Sequence, residues 1–287
     1  MSSFILCFCF ILSSGLAGCG VGRSTQASAL KLIGGRSAIV DEFPEVVVLD
    51  DPLCTGVMVS TKHILVAGHC IQQQADDLLP LDSAGSFLVY RIALRSDGSR
   101  EIEEKVTSVT ARFAHPSWVQ ALSEQGSPDK AADQPATLDL AIIELSNALT
   151  FPTVALNRFP LVAGSQVVVA GGGCERRFQS PSGRLKVGAT TVLAAESGRY
   201  ALSAKDIAGK PVGGCQGDSG GPVFLGDGGE PVLDDRGRKM LAGINSVIAL
   251  PSENESILDA LPTAAARIDN PAALAWIAKL IQTSSEQ

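Results

Sequence analysis

The sequence predicts an all-β molecule of two packed antiparallel barrels, about six short strands each, followed by one C-terminal α-helix. Three observations predict it. Short Val/Ile-rich runs recur between clusters of Gly, Pro, Ser and Asp, the pattern of strands joined by turns. Gly is abundant, at 29 of 287 residues, and helix formers do not dominate. The runs fall into two groups on either side of a connector at 147–160. Hydrophobic residues make up 45% and charged residues 18% of the chain, so it is globular and long enough to bury a sizeable core.

Candidate strands of the first half are 45–49, 55–60, 63–67, 87–93, 106–113 and 140–144. Those of the second half are 166–170, 184–193, 199–203, 222–225 and 239–247. The stretch 120–137, with Gly126, Pro128 and Pro135, lacks periodicity and reads as a long loop entering the strand at 140. Near the end, Leu274, Ile277 and Ile281 recur at helical spacing. Pro271 sits at the first turn and Asn270 is a candidate cap, which predicts a helix over 271–281. The resulting plan is a first barrel over about 32–146, a second over about 160–268, then the helix, within one domain of 32–283.

Before that domain, Phe4 to Leu12 form an unbroken apolar run. It is shorter than the roughly 20 residues that a membrane-spanning helix needs. Its length suits the apolar core of a secretory signal peptide, although no Lys or Arg precedes Arg23. Leu16-Ala17-Gly18-Cys19 resembles the lipobox of bacterial lipoproteins, in which the Cys becomes the lipid-bearing first residue. Cutting of an ordinary signal peptide near Ala17 or Gly18 is the other reading. On the lipoprotein reading, 1–18 is a signal peptide and 19–31 a short polar linker or propeptide that holds the protein to a membrane through Cys19. Cys7 and Cys9 fall in the removed segment. Four cysteines remain, Cys54, Cys70, Cys174 and Cys215. In an exported chain an even number implies two disulfides, and counting leaves three pairings open.

The net charge of −7 argues against a nucleic-acid partner, because phosphate binding needs clustered Lys and Arg. Arg176-Arg177 and Arg236 to Lys239 are short and read as solvated turns.

Three motifs carry chemistry. In Gly214-Cys215-Gln216-Gly217-Asp218-Ser219-Gly220-Gly221-Pro222, glycines leave the backbone bare around a serine. Such a backbone exposes the hydroxyl and lets the N–H groups of Gly217 and Ser219 converge on an oxyanion. In Val66-Ala67-Gly68-His69-Cys70, a histidine sits among small residues. A serine hydroxyl needs such a base to become a nucleophile. The chain has three histidines. His63 falls on a candidate strand and His115 precedes Pro116, so His69 is the candidate base. In Thr137-Leu138-Asp139-Leu140-Ala141-Ile142-Ile143, an aspartate is embedded in an apolar run, where burial demands a partner. An imidazole N–H is such a partner and is fixed in tautomer by it.

On these motifs the chain, from Leu32 to about Ile281, resembles the chymotrypsin/trypsin-like serine proteases, here as a bacterial member. The chain order His, Asp, Ser is theirs and not that of the subtilisins or α/β-hydrolases. The resemblance implies a cleft between two six-stranded barrels, with His69 and Asp139 from the first and Ser219 from the second. Leu32-Ile33-Gly34-Gly35 matches the start of the mature enzymes, and Lys31 fits an activating cut by another protease. The freed amine of Leu32 would pair with Asp218, and the uncut chain would hold its oxyanion site poorly. Cys54 and Cys70 match the disulfide beside the catalytic histidine. Cys215 departs from the family, whose partner cysteine lies downstream; none follows here, which leaves Cys174.

The resemblance also places a substrate pocket. Gly213 falls at its floor, where enzymes that cut after Lys or Arg carry a carboxylate; Asp206 reaches that place only with a shifted alignment. Gly214, Gln216, Ser246, Val247, Ile248 and Thr263 fall around it, with Ser246 backing Asp139 and Ile248 narrowing the entrance. Together they imply an endopeptidase that prefers small aliphatic residues before the cut bond. The partners are polypeptide substrates and the activating protease. On the lipoprotein reading the protein is expected to be exported and membrane-anchored, and the cut after Lys31 would release it. The alternative is a catalytically silent relative that acts as a binding module. No metal site is expected, because the histidines lack ligand spacing. No cofactor motif stands out either: Gly171-Gly172-Gly173 reads as a loop near the active site.

Overall fold

The computed structural model describes residues 34–39, 41–49, 53–74, 77–78, 86–94, 100–174, 184–248 and 263–283. Cys19, Lys31 and Leu32, with the signal-peptide and linker assignments, lie outside the described residues.

The first half forms a closed antiparallel barrel in the order Val46–Leu49, Cys54–Ser60, His63–Val66, Ala141–Leu145, Arg100–Ala114, Ser86–Leu94. Its shorter strands are continuous apolar runs rather than alternating ones, as strands covered on both faces should be. Val46–Leu49 and His63–Val66 are buried at every position.

Six strands of the second half also close a circuit of antiparallel pairings. Gln166–Gly171 pairs with Lys186–Ala195, which pairs with Arg199–Asp206. Next come Thr263–Arg267, Met240–Ile248 and Pro222–Asp227, which returns to the first. The sequence reading missed Thr263–Arg267. Its Thr-Ala-Ala-Ala-Arg has little intrinsic strand preference and becomes a strand because partners flank it on both sides.

Two segments cross between the halves. Arg36–Ser37, assigned above to the first barrel, instead pairs with Val187 and Lys186 of the second. The C-terminal helix, Pro271–Thr283, is capped by Asn270, whose Oδ1 accepts from Ala272 N at 2.9 Å. It returns to the first half, where Ala273 and Ile277 join the main core and Trp276 meets His115 edge-on at 5.1 Å.

The stretch read as a long loop is largely helical, with Pro116–Gln125 and Pro128–Ala132. His115 caps the first helix, accepting from Ser117 N, and Gly126 ends it at φ 70°. Trp118, Ala121 and Leu122 form one buried stripe against Ala131 and Ala132. The stripe straddles residue 120, so a reading that begins the loop there cuts the periodicity in two. Among the described residues no helix is long and apolar enough to cross a membrane.

Candidate active site

Strand register brings the first two candidate residues together. Val66 pairs with Ala141 across antiparallel strands, so beyond the ladder residue 139 comes opposite residue 68. His69 follows in the short helical turn Gly68–Cys70. Its Nδ1–H donates to Asp139 Oδ2 at 2.7 Å, and its backbone N–H donates to Asp139 Oδ1 at 2.9 Å. Ser246 Oγ donates to the same Oδ2 at 2.5 Å. The carboxylate thus holds His69 at two points, the ring Nδ1 and the backbone N–H. Burial alone raises the Asp139 pKa, but the His69 charge and the three hydrogen bonds outweigh it, and the group is held below its ordinary value. Burial pulls His69 down, and the Asp139 carboxylate outweighs that and raises it. Gly68 is required by space: a Cβ there would lie 2.7 Å from the Trp118 ring and 2.9 Å from Asp139 Oδ1.

The loop bearing Ser219 comes from the second barrel and meets the first barrel at Thr55. Thr55 stitches it down. Thr55 N donates to Ser219 O, Thr55 Oγ1 donates to Gly217 O, and Gly172 N donates to Thr55 Oγ1, each at 2.8 Å. The disulfide Cys54–Cys70 joins the residue before Thr55 to the residue after His69. Gly220 packs on the same backbone: a Cβ there would sit 2.2 Å from Thr55 O and 3.1 Å from Ala67 N. Ser219 is therefore flanked by contacts to Thr55 on one side and to Thr55 and Ala67 on the other.

The backbone around Gly217 forms a turn in which Cys215 O accepts from Asp218 N at 3.0 Å. Gly217, third in the turn, has φ 94°, the mark of a type II turn. Cys174 N donates to Gln216 O at 2.9 Å. Because a trans peptide holds its C=O and N–H on opposite sides, that bond aims the Gly217 N–H away from Cys174. The disulfide Cys174–Cys215 fastens the same two segments. Among the described residues, neither the Gly217 nor the Ser219 N–H donates to a backbone carbonyl.

Asp218 is buried beneath this turn. Its Oδ1 accepts from Gly173 N and its Oδ2 from Cys215 N, both at 2.8 Å. Gly171 and Gly173 leave room for it, since a Cβ at either would lie within 2.6 Å of Oδ1. Burial pushes its carboxyl up to about 7, against the opposing pull of the two amides and of the Lys186 charge.

Gly213, Gly214 and Thr263 line one small pocket with Val169, Thr190, Ser203 and Val212, and none of these side chains is charged. Ile248 ends its strand opposite Thr263, with Val247 beside it. Gln216 is exposed. Asp206 is not at the pocket; its Oδ1 accepts from Ala208 N and Lys210 N in a turn. His63 lies apart on its strand, with Nδ1 2.6 Å from Ser60 Oγ. Cys54, His69 and Cys70 present donor atoms within 4.8 Å of one another, but both sulfurs are spent in the disulfide. Sequence reasoning passed over Trp118, Thr55 and Lys186. The helical spacing around Trp118 was a usable signal; Thr55 and Lys186 gave none, because pairing across distant strands assigns their partners.

Residues 32–277 match the family model described as Trypsin. The chain belongs to the trypsin family. Among curated relatives it is 24% identical to melanization protease 1 of Drosophila melanogaster, over 69% of this chain and 54% of that one. It is 25% identical to mannan-binding lectin serine protease 1 of Mus musculus, over 73% of this chain and 31% of that one. It thus spans about half or less of the length of these relatives. Among solved structures it matches human heparin binding protein, with TM-score 0.58, 18% identity, and coverage of 87% of this chain and 96% of that one. At that identity the match carries the trypsin-family fold alone.

Proposed function

We propose that the protein is a serine endopeptidase, acting through Ser219, His69 and Asp139. One observation carries the reading: a buried carboxylate orients the His69 ring through Nδ1, and the loop bearing Ser219 is stitched to Thr55, whose neighbour Cys54 is joined by a disulfide to Cys70 beside His69. In the mechanism, Ser219 Oγ attacks the carbonyl carbon of the cut bond while His69 Nε2 takes its proton. Asp139 stabilises the imidazolium. The N–H groups of Gly217 and Ser219 receive the oxyanion. His69 then gives the proton to the leaving amine, and water repeats the sequence to release the acyl group. The uncharged cavity at Gly213 and Thr263 supports small aliphatic residues before the cut bond. Cutting after Lys31 frees the Leu32 amine to pair with Asp218. The chain is exported, held at a membrane through Cys19, and released by the same cut.

The test is labelling with a serine-directed phosphonate before and after limited tryptic digestion, with peptide substrates ending in Ala, Val, Phe and Arg. Label is expected on Ser219, with Ala and Val preferred. Ser219→Ala is expected to lose on the order of 10⁶ in kcat. Absence of label in the digested protein overturns the reading, and preference for Arg overturns the pocket assignment.

A further inference from the structure

Ser37, Lys186 and Gly171 lie directly opposite one another on three adjacent antiparallel strands. Directly opposed residues put their side chains on the same face of a sheet, with Cβ atoms roughly 5 Å apart. At Gly171 that face is occupied: a Cβ there would lie 2.2 Å from Asp218 Oδ1. The Lys186 side chain therefore leaves the sheet on the side where the Asp218 carboxylate sits. It is fully buried, and its Nζ donates to Ser37 Oγ at 3.1 Å. Lys186 and Asp218 are thus two buried groups of opposite charge on one side of this sheet, and the Lys186 charge acts on the Asp218 carboxyl.

We propose that Lys186 is an in-chain counter-cation for Asp218 that holds the Cys215–Ser219 turn in working geometry without cleavage after Lys31. It is a positioning residue, acting through Asp218. The claim rests on the serine-protease reading above and deepens it: latency of the uncut chain is partial. The turn above Asp218 is hydrogen-bonded, with Cys215 O bound by Asp218 N and both Asp218 oxygens bound by amides. The Lys186 charge also draws the Asp218 pKa downward, although burial still leaves it raised. Lys186 favours the ionised carboxylate without completing its stabilisation, so a second cation, the Leu32 amine, still has an effect to add.

The test compares Lys31→Gln, kept intact and checked by mass, with Lys31→Gln carrying Lys186→Met or Ser37→Ala. Lys186→Met and Ser37→Ala are also prepared with Lys31 present and then digested. The expected result is measurable peptide cleavage by intact Lys31→Gln. Adding Lys186→Met should lower kcat about 100-fold, the scale of losing one oxyanion donor, with little change in KM. Ser37→Ala should give a smaller loss in the same direction. After digestion both variants should come within about 3-fold of the digested parent, because the amine then supplies the charge. A purely structural role for Lys186 would lower activity equally in cut and uncut forms and overturns the proposal, as does equal activity of Lys31→Gln with and without Lys186. Intact Lys31→Gln that is inert beside an active digested parent also overturns it. If the digested parent itself takes no phosphonate, the protease reading fails instead.

Discussion

Asp139 and Asp218 are two of the carboxylates buried among the described residues, and the regions around them are built differently. Asp139 is 2% exposed and Asp218 is 3% exposed. Asp139 has an imidazole, an amide and a hydroxyl converging on it, and its pKa is lowered. Asp218 has two amides, with the Lys186 charge acting through space, and is raised to about 7. Burial is nearly equal, so burial does not decide the outcome. The difference is a close partner that can itself take up positive charge. The first site is completed by strand register alone, since pairing of Val66 with Ala141 delivers Asp139 to His69. The second is completed only in part by pairing, and so its charge state remains open to a later event. Folding finishes one region, and chemistry on the chain finishes the other.

The largest break in the comparison comes from equalising the two carboxylates. Asp139→Asn removes the charge that raises His69 and allows the amide to fix the wrong ring tautomer. The loss expected in kcat is on the order of 10⁴, with KM little changed. The rising limb of the rate against pH should also move down, to below the ordinary histidine value, because burial then acts on His69 without the Asp139 charge that outweighs it. A loss of only a few-fold would show that Asp139 does not orient the base.

The legibility of these regions in the sequence differs in the same way. His69, Asp139 and Ser219 stand out because their neighbours are informative: small residues at 67–68, an apolar run at 140–143, glycines around 219. Most strands of both barrels stand out as well, since Val/Ile runs broken by turn residues define them. The strand Thr263–Arg267 does not, because alanines carry no period, and neither do the helices between 116 and 132, because the segment boundary fell inside their apolar stripe. Lys186 was the least legible. A lysine between Leu185 and Val187 looks like an ordinary outward-facing strand residue, and only the register against Ser37 and Gly171 turns it inward. Asp218 was legible as a buried group, but the glycines that make room for it, at 171 and 173, read simply as a loop.

A smaller break comes from those glycines. Gly173→Ala puts a Cβ 2.6 Å from Asp218 Oδ1 and 2.7 Å from Gln216 O. The first contact disturbs the carboxylate and the second disturbs the peptide that aims the Gly217 N–H. Neither touches His69 or Asp139. Activity should fall by about 10²–10³, mainly in kcat, as for loss of one oxyanion donor. The pH at which the remaining activity rises should be unchanged, since the imidazole keeps its partner. A shifted limb would mean that the two regions are coupled rather than separately built.

The finest test is thermodynamic. In the intact folded chain the Asp218 carboxyl holds its proton up to about 7, because burial outweighs its two amides and Lys186. An unfolded aspartate releases its proton near pH 4, at about 3.9. Between those values the native state binds more protons than the unfolded state, so this group makes stability fall as pH rises, and its effect levels off above about 7. Asp139 acts with the opposite sign: its lowered pKa adds stability that is present above the unfolded value and lost only as pH falls through the folded one. His69, being raised, contributes stability at low pH that is also lost on the alkaline side, so Asp218 must be isolated by difference. Melting of the intact chain and of its Asp218→Asn variant from pH 4.5 to 7.5 makes that difference visible. The parent is expected to lose several °C relative to the variant across this range, at roughly 2–4 °C per kcal/mol for a domain of this size. After cleavage the relative loss should shrink, because an amine beside the carboxylate lowers its pKa toward that of Asp139. Parallel melting curves in the intact chain would show that Asp218 is already as fully compensated as Asp139, and the distinction between a region finished by folding and one finished by cleavage would disappear.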